Sequence, residues 1–172
     1  RSVDHTPASL SGKRVVFLRR MGKRIVIGFE DDLFVVIHLM IAGRLRWRPP
    51  GKKIAGKLAL AAFHFPRGGL WLTEAGSTRR ASMHIVRGEN ELTQFDRGGL
   101  EVLDAAVSDF ARMLRCENHT LKRSLTDPRL FSGIGNAYSD EILHRARLTP
   151  LTLTSKLKDE EIDRLFSATR EV

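Results

Sequence analysis

Apolar and polar positions change period once along this chain. Up to about residue 90 the apolar residues fall in short β-branched runs. Arg14–Leu18 predicts one strand. Arg24-Ile25-Val26-Ile27-Gly28-Phe29 predicts a second, closed by the acidic turn Glu30-Asp31-Asp32 and followed by Leu33–Leu39, so that the pair reads as a hairpin. Gly43-Arg44-Leu45-Arg46-Trp47-Arg48 alternates basic and apolar residues, the pattern of a strand with one wet, positive face. Pro49-Pro50-Gly51 breaks it. Lys57–Phe65 turns at Pro66-Arg67-Gly68-Gly69 into Leu70-Trp71-Leu72, and Met83–Val86 is one more short strand. The pattern predicts an antiparallel meander or sandwich layer.

After Gly98-Gly99 the period becomes helical. Leu100, Leu103, Val107, Phe110, Ala111 and Leu114 recur at three- and four-residue steps and predict one amphipathic helix. A second helix is predicted over Thr120–Leu125, stopped by Asp127-Pro128. After the tight turn Gly133-Ile134-Gly135-Asn136, a third covers Ala137–Arg147 with Tyr138, Ile142 and Ala146 on one face. Asp159-Glu160-Glu161 opens a last helix, its acids complementing the dipole, which is still running at Val172. The expected class is α+β: an antiparallel β-sandwich layer over residues 1–97, then a helical domain over 98–172.

Charge sharpens this division. The 172 residues carry a formal net charge of +9. Residues 1–100 hold 18 Lys and Arg against 8 Asp and Glu (+10), and residues 101–172 hold 11 against 12 (−1). So one-sided an excess points to a polyanionic partner, most often nucleic acid. A basic protein with no such partner is the plainer alternative. Cys116 is the only cysteine, which excludes an internal disulfide and any site built mainly on thiolates. A reducing, cytosolic location is the default.

The strongest local signal is Leu121-Lys122-Arg123-Ser124-Leu125, then Phe131-Ser132-Gly133-Ile134-Gly135-Asn136-Ala137-Tyr138-Ser139-Asp140-Glu141. A helix that starts at Asn136 offers unpaired N–H groups and a positive dipole end, which suit a phosphate, and Lys122 could add its charge. The same residues could equally be a helix–helix turn with an Asn cap. Asp140 and Glu141, adjacent on a helix, point to different faces and do not form an acid–base pair. Cys116 reads as a small core or boundary residue.

These residues resemble the helix–two-turn–helix of the formamidopyrimidine-DNA glycosylase and endonuclease VIII family. Four further segments match that family in order. Arg20-Met21-Gly22-Lys23 resembles its Arg-Arg-Gly-Lys, and His38-Leu39-Met40-Ile41-Ala42-Gly43-Arg44-Leu45 its His-Leu-Gly-Met-Ser/Thr-Gly-x-Leu. Arg79-Arg80 fall at its Asp-x-Arg-Arg-Phe-Gly, and Phe95–Leu100 lies at the passage into the helical half. The resemblance implies base-excision repair of damaged double-stranded DNA by a monomer without membrane attachment, in the cytoplasm and, in a bacterium, at the nucleoid. The implied activity is bifunctional. A glycosylase flips out and removes an oxidised or ring-opened base, and abasic-site lyase cleavage follows through a Schiff base.

The resemblance makes Lys23 the catalytic candidate and His38, Lys57, Arg79, Arg80, Lys122, Gly135 and Asn136 the DNA contacts. For Lys23 and His38 the plainer readings are a solvated lysine on a basic strand and a half-buried, satisfied histidine. The chain also departs from the family. Arg1-Ser2 does not resemble the family's Pro-Glu, whose amine is the nucleophile. Ala81 stands where a Phe wedge is usual and Ile41 where a Met wedge is, and the Asp-x before the arginines has no counterpart. The expectation is the middle of a longer protein, these 172 residues lacking the nucleophile and holding no cofactor, with one zinc ion in a finger beyond them. The alternatives are a non-catalytic nucleic-acid-binding module and, more remotely, a ribosomal RNA binder.

Overall fold

The computed structural model describes residues 5–52, 56–75 and 78–172. Two compact units emerge: Arg24–Leu92 with the chain up to Arg20, and Thr93–Val172 with Met21–Lys23. The fold is α+β, antiparallel sheets followed by helices.

The first unit is built from seven strands, β1 (Val15–Met21), β2 (Arg24–Phe29), β3 (Leu33–His38), β4 (Gly43–Arg48), β5 (Ala59–Phe65), β6 (Gly68–Glu74) and β7 (Ser82–Arg87). They form two sheets, ordered β1-β2-β3-β7 and β4-β6-β5. The β2–β3 hairpin closes as its sequence requires: Phe29 pairs with Leu33, and Asp31 and Asp32 turn the corner at positive φ, where short polar side chains are tolerated. The strand order is not a plain meander, because β7 returns to pair with β3 rather than with β6.

Alternation decides what is buried between the sheets. Ile27 and Phe29 of β2, Leu33, Val35 and Ile37 of β3, and Ile85 of β7 share one face and pack with Leu72 of β6. Full burial of one such side chain is worth about 1.5–3 kcal/mol. The same alternation on β4 sets Leu45 against this core and leaves Arg44, Arg46 and Arg48 exposed on the other face. β1, an edge strand, is exposed almost throughout, Leu18 at 70%. After β7 comes a short helix, α1 (Gly88–Thr93), within which the first unit ends at Leu92 and which the sequence pattern did not suggest. Its Glu91 carboxylate accepts the N–H of Arg87 at 2.8 Å, and both its acids lie in the first turn.

The second unit holds α2 (Val107–Arg115), α3 (Leu121–Thr126), α4 (Asn136–Ala146) and α5 (Asp159–Glu171). Phe110, Leu114, Leu121, Leu125, Phe131, Ile142, Ile162 and Leu165 form its core, with the Phe110 ring 4.8 Å from that of Phe131 and 5.4 Å from that of Phe166. The helix predicted from Leu100 begins only at Val107. Leu100 instead forms an isolated bridge with Phe131: Leu100 N–H donates to Leu130 O and Leu100 O accepts from Ser132 N–H, both at 2.9 Å. These two bonds tie down the loop that leads into α4. Val102, not Leu103, is the residue buried there.

Tyr138 is another departure, 59% exposed although Ile142 and Ala146 on its row are buried. Cys116, read as core or boundary, is an exposed residue at the C-terminus of α2. Among the described residues no helix is long and apolar enough to cross a membrane.

Candidate nucleic-acid interface

Lys23 is one of three residues of the β1–β2 turn that pack with the helical unit, a grouping the sequence did not suggest. Its side chain lies along Gly135, so that a Cβ on Gly135 would sit 2.8 Å from the ammonium nitrogen. The absence of a side chain at 135 leaves room for the lysine tip. Gly135 is also the residue that precedes α4, in an extended conformation with φ −122°.

The helix begins at Asn136, which is exposed and is the first helical residue rather than its cap. The Asn-cap reading is therefore not the arrangement found. The first α-helical bond of this turn runs from Ser139 N–H to Gly135 O at 2.8 Å, and Ser139 Oγ donates to Asn136 O at 2.7 Å. The N–H groups at the tip of the helix carry the positive end of the dipole.

An ammonium at this end meets charge of its own sign, an arrangement disfavoured by about 0.3–1 kcal/mol. An anion between them reverses the sign of that interaction. The Lys23 ammonium and the N-terminus of α4, where the exposed Asn136 stands, thus lie together in an arrangement suited to a phosphate oxygen.

Lys122 already has a carboxylate partner. Its ammonium donates to both carboxylate oxygens of Asp140, at 2.6 and 2.8 Å, and so joins α3 to α4. Asp140, set aside as an acid–base candidate on the sequence, turns out to be this lysine's partner.

In the first unit, His38 ends β3 half-buried, paired in register with Arg24 of β2 and Ser82 of β7. Between β3 and β4 the chain turns within Leu39–Gly43, closed by Gly43 N–H donating to Leu39 O at 2.9 Å. A Cβ on Gly43 would collide with that same carbonyl. Met40 takes a positive φ of 54° at this turn, and Ile41 projects at 85% exposure.

Arg79 and Arg80 are both exposed. The Arg79 guanidinium donates to the backbone carbonyl of Lys57, so Lys57 meets this loop through its main chain; its own side chain is exposed. Glu74 is the residue the sequence reading overlooked. Only 2% exposed, it accepts the N–H of Arg80 at 3.0 Å and of Ala81 at 3.1 Å, one on each carboxylate oxygen. An acid does precede the arginines, five residues before Arg79. The signal was available: Glu74 is the only Asp or Glu between Asp32 and Glu89.

Comparison with known proteins settles the family. Residues 1–83 match the model of the formamidopyrimidine-DNA glycosylase N-terminal domain, and residues 100–172 match that of the formamidopyrimidine-DNA glycosylase H2TH domain. The chain belongs to the formamidopyrimidine-DNA glycosylase family. It is 31% identical over 169 residues to the formamidopyrimidine-DNA glycosylase of Solibacter usitatus, covering 98% of this chain and 61% of the relative. It is 34% identical over 170 residues to that of Thermus thermophilus, covering 96% of this chain and 60% of the relative.

The MutM (Fpg) crystal structure from Thermus thermophilus superposes with a TM-score of 0.81 at 32% identity, over 97% of this chain and 61% of that one. A Lactococcus lactis Fpg structure, solved with DNA containing an abasic site, shares the fold with a TM-score of 0.84 at 24% identity, over 95% of this chain and 61% of that one. The chain therefore spans about three fifths of the length of the formamidopyrimidine-DNA glycosylases it matches.

Proposed function

We propose that the whole protein is a DNA base-excision-repair enzyme, a bifunctional glycosylase and abasic-site lyase acting on oxidised or ring-opened bases in duplex DNA. One observation carries the reading: the Lys23 ammonium laid against Gly135 at the positive end of α4. A phosphate beside the flipped nucleotide supplies the negative charge this arrangement lacks. The glycosylases named above, and the Lactococcus lactis structure with abasic-site DNA, support the choice of substrate.

In this reading Lys23, Gly135 and Asn136 hold the phosphate next to the reacting sugar. Lys23 is the group closest to the chemistry, while an amine elsewhere in the whole protein attacks C1′. Displacement of the base, followed by opening of the sugar ring as the C1′–O4′ bond breaks and O4′ takes a proton, leaves an iminium on that carbon, which the lyase step resolves by elimination. His38, Lys57, Arg79 and Arg80 contact the backbone of the bent duplex. Met40 and Ile41, at the tip of the β3–β4 turn, fill the space the flipped base vacates in place of a Phe at position 81. Lys122 serves chiefly to hold α4 through Asp140, and a phosphate has to compete with that carboxylate for it. The zinc ion implied by the resemblance is assigned to the remaining length; among the described residues no group of three or more His, Cys, Asp or Glu could hold a metal. The place of work is the cytoplasm and, in a bacterium, the nucleoid.

Two measurements on the whole protein test this. Borohydride should reduce the iminium and leave protein covalently attached to abasic-site DNA, and absence of the adduct overturns the lyase assignment. Asn136→Ala should weaken binding to an abasic-site duplex by about 1–2 kcal/mol, the loss of one hydrogen bond to a charged group. Unchanged affinity overturns the phosphate site.

A further inference from the structure

Between Asp32 and Glu89 lie 56 residues with ten Lys and Arg and a single acid, Glu74. A carboxylate exposed in so basic a segment would repel the phosphates that the segment attracts. Glu74 is not exposed. It sits at the end of β6 with 2% of its surface accessible, and each of its oxygens accepts a backbone N–H, from Arg80 and from Ala81. Both of its carboxylate oxygens are occupied by the loop that carries the arginine pair.

The two arginines use that loop unequally. The Arg79 guanidinium is already engaged with the carbonyl of Lys57, a second attachment of the same loop. Arg80 has its backbone N–H on Glu74 while its side chain is exposed.

We propose that Glu74 is a positioning residue: by accepting the N–H groups of Arg80 and Ala81 it fixes the backbone from which the Arg80 guanidinium reaches a DNA phosphate. This rests on the DNA-repair reading above. The physical basis is that two hydrogen bonds to a buried charged acceptor are strong and directional. Without them the loop spends only part of its time in the geometry that presents Arg80, and the apparent affinity falls by that fraction.

The experiment is a double-mutant cycle on the whole protein, with an abasic-site duplex titrated from 50 to 200 mM salt. Glu74→Ala and Arg80→Ala should each weaken binding about 5–10-fold. Each should also make the salt dependence shallower by about one unit in the log–log slope, the signature of one lost phosphate contact. The double variant should bind no more weakly than Arg80→Ala alone, because Glu74 acts only through Arg80. Glu74→Gln keeps the side chain's volume and one acceptor, guards against a folding defect, and should fall between wild type and Glu74→Ala.

Additive losses, or an unchanged slope in Glu74→Ala and Glu74→Gln, overturn the proposal. So does an Arg80→Ala variant that binds like wild type, since the loop then presents nothing. Asn136→Ala in the same assay reports separately on the DNA reading: if it still weakens binding, that reading survives the failure of this one.

Discussion

Gly135 shows how much one missing methyl group decides. An alanine there meets only the end of a flexible lysine side chain, and its φ of −122° suits any residue. Gly135→Ala should therefore leave thermal unfolding within about 0.5 kcal/mol of wild type, as for a substitution that strains no backbone. It should nevertheless displace the Lys23 ammonium and weaken abasic-site DNA binding about tenfold. Calorimetry paired with a binding titration separates the two effects. His84 gives the residue-scale prediction for pH. Burial, with the nearby Arg24 charge adding, holds its imidazole below the ordinary 6.5 in the folded protein. The unfolded chain then binds the proton more readily, so the contribution is present above pH 6.5 and is lost as pH falls through the lowered value. Denaturant unfolding at pH 7.5 and 5.5 should show wild type losing stability over this interval and His84→Gln losing less.

At the scale of elements, the strands were the most legible. A run such as Leu33–His38, β-branched and preceded by an acidic turn, leaves few alternatives, and β2, β3 and β4 lie where the pattern put them. Periodicity failed where it was coincidental. Leu100 and Leu103 stand at helical spacing from Val107, yet Leu100 is held in an extended bridge to Phe131, a partner 31 residues away that no local window contains. The candidate site was legible as a motif and illegible as a network. Gly135 and Asn136 were read from the turn, but Lys122 was read without Asp140, 18 residues on, and Arg80 without Glu74. Asp140 is brought to Lys122 by the fold, so no local window reveals it, whereas Glu74 stands six residues from Arg80 and was marked only by being the one acid of its segment.

For the whole molecule, the charge distribution makes the most direct prediction. If Lys23, Lys57, Arg79 and Arg80 each neutralise a phosphate, the logarithm of the binding constant for duplex DNA should fall with the logarithm of salt concentration at a slope of about −3 to −4. A slope near zero, measured by fluorescence anisotropy, would refute an interface built on these cations. In residues 101–172 the 11 Lys and Arg are offset by 12 Asp and Glu, so the long-range attraction is expected from the first hundred residues and the expected part of the helical residues is the aimed donors of α4. The turn between β3 and β4 has a different kind of consequence. Met40 is kept at a positive φ that costs a non-glycine residue roughly 1–2 kcal/mol, beside an Ile41 that is almost wholly in solvent. A glycine at position 40 would relax the backbone and at the same time blunt the apolar tip. Stability and function thus pull in opposite directions at this residue, and a screen that selected only for heat resistance would be drawn to replace it.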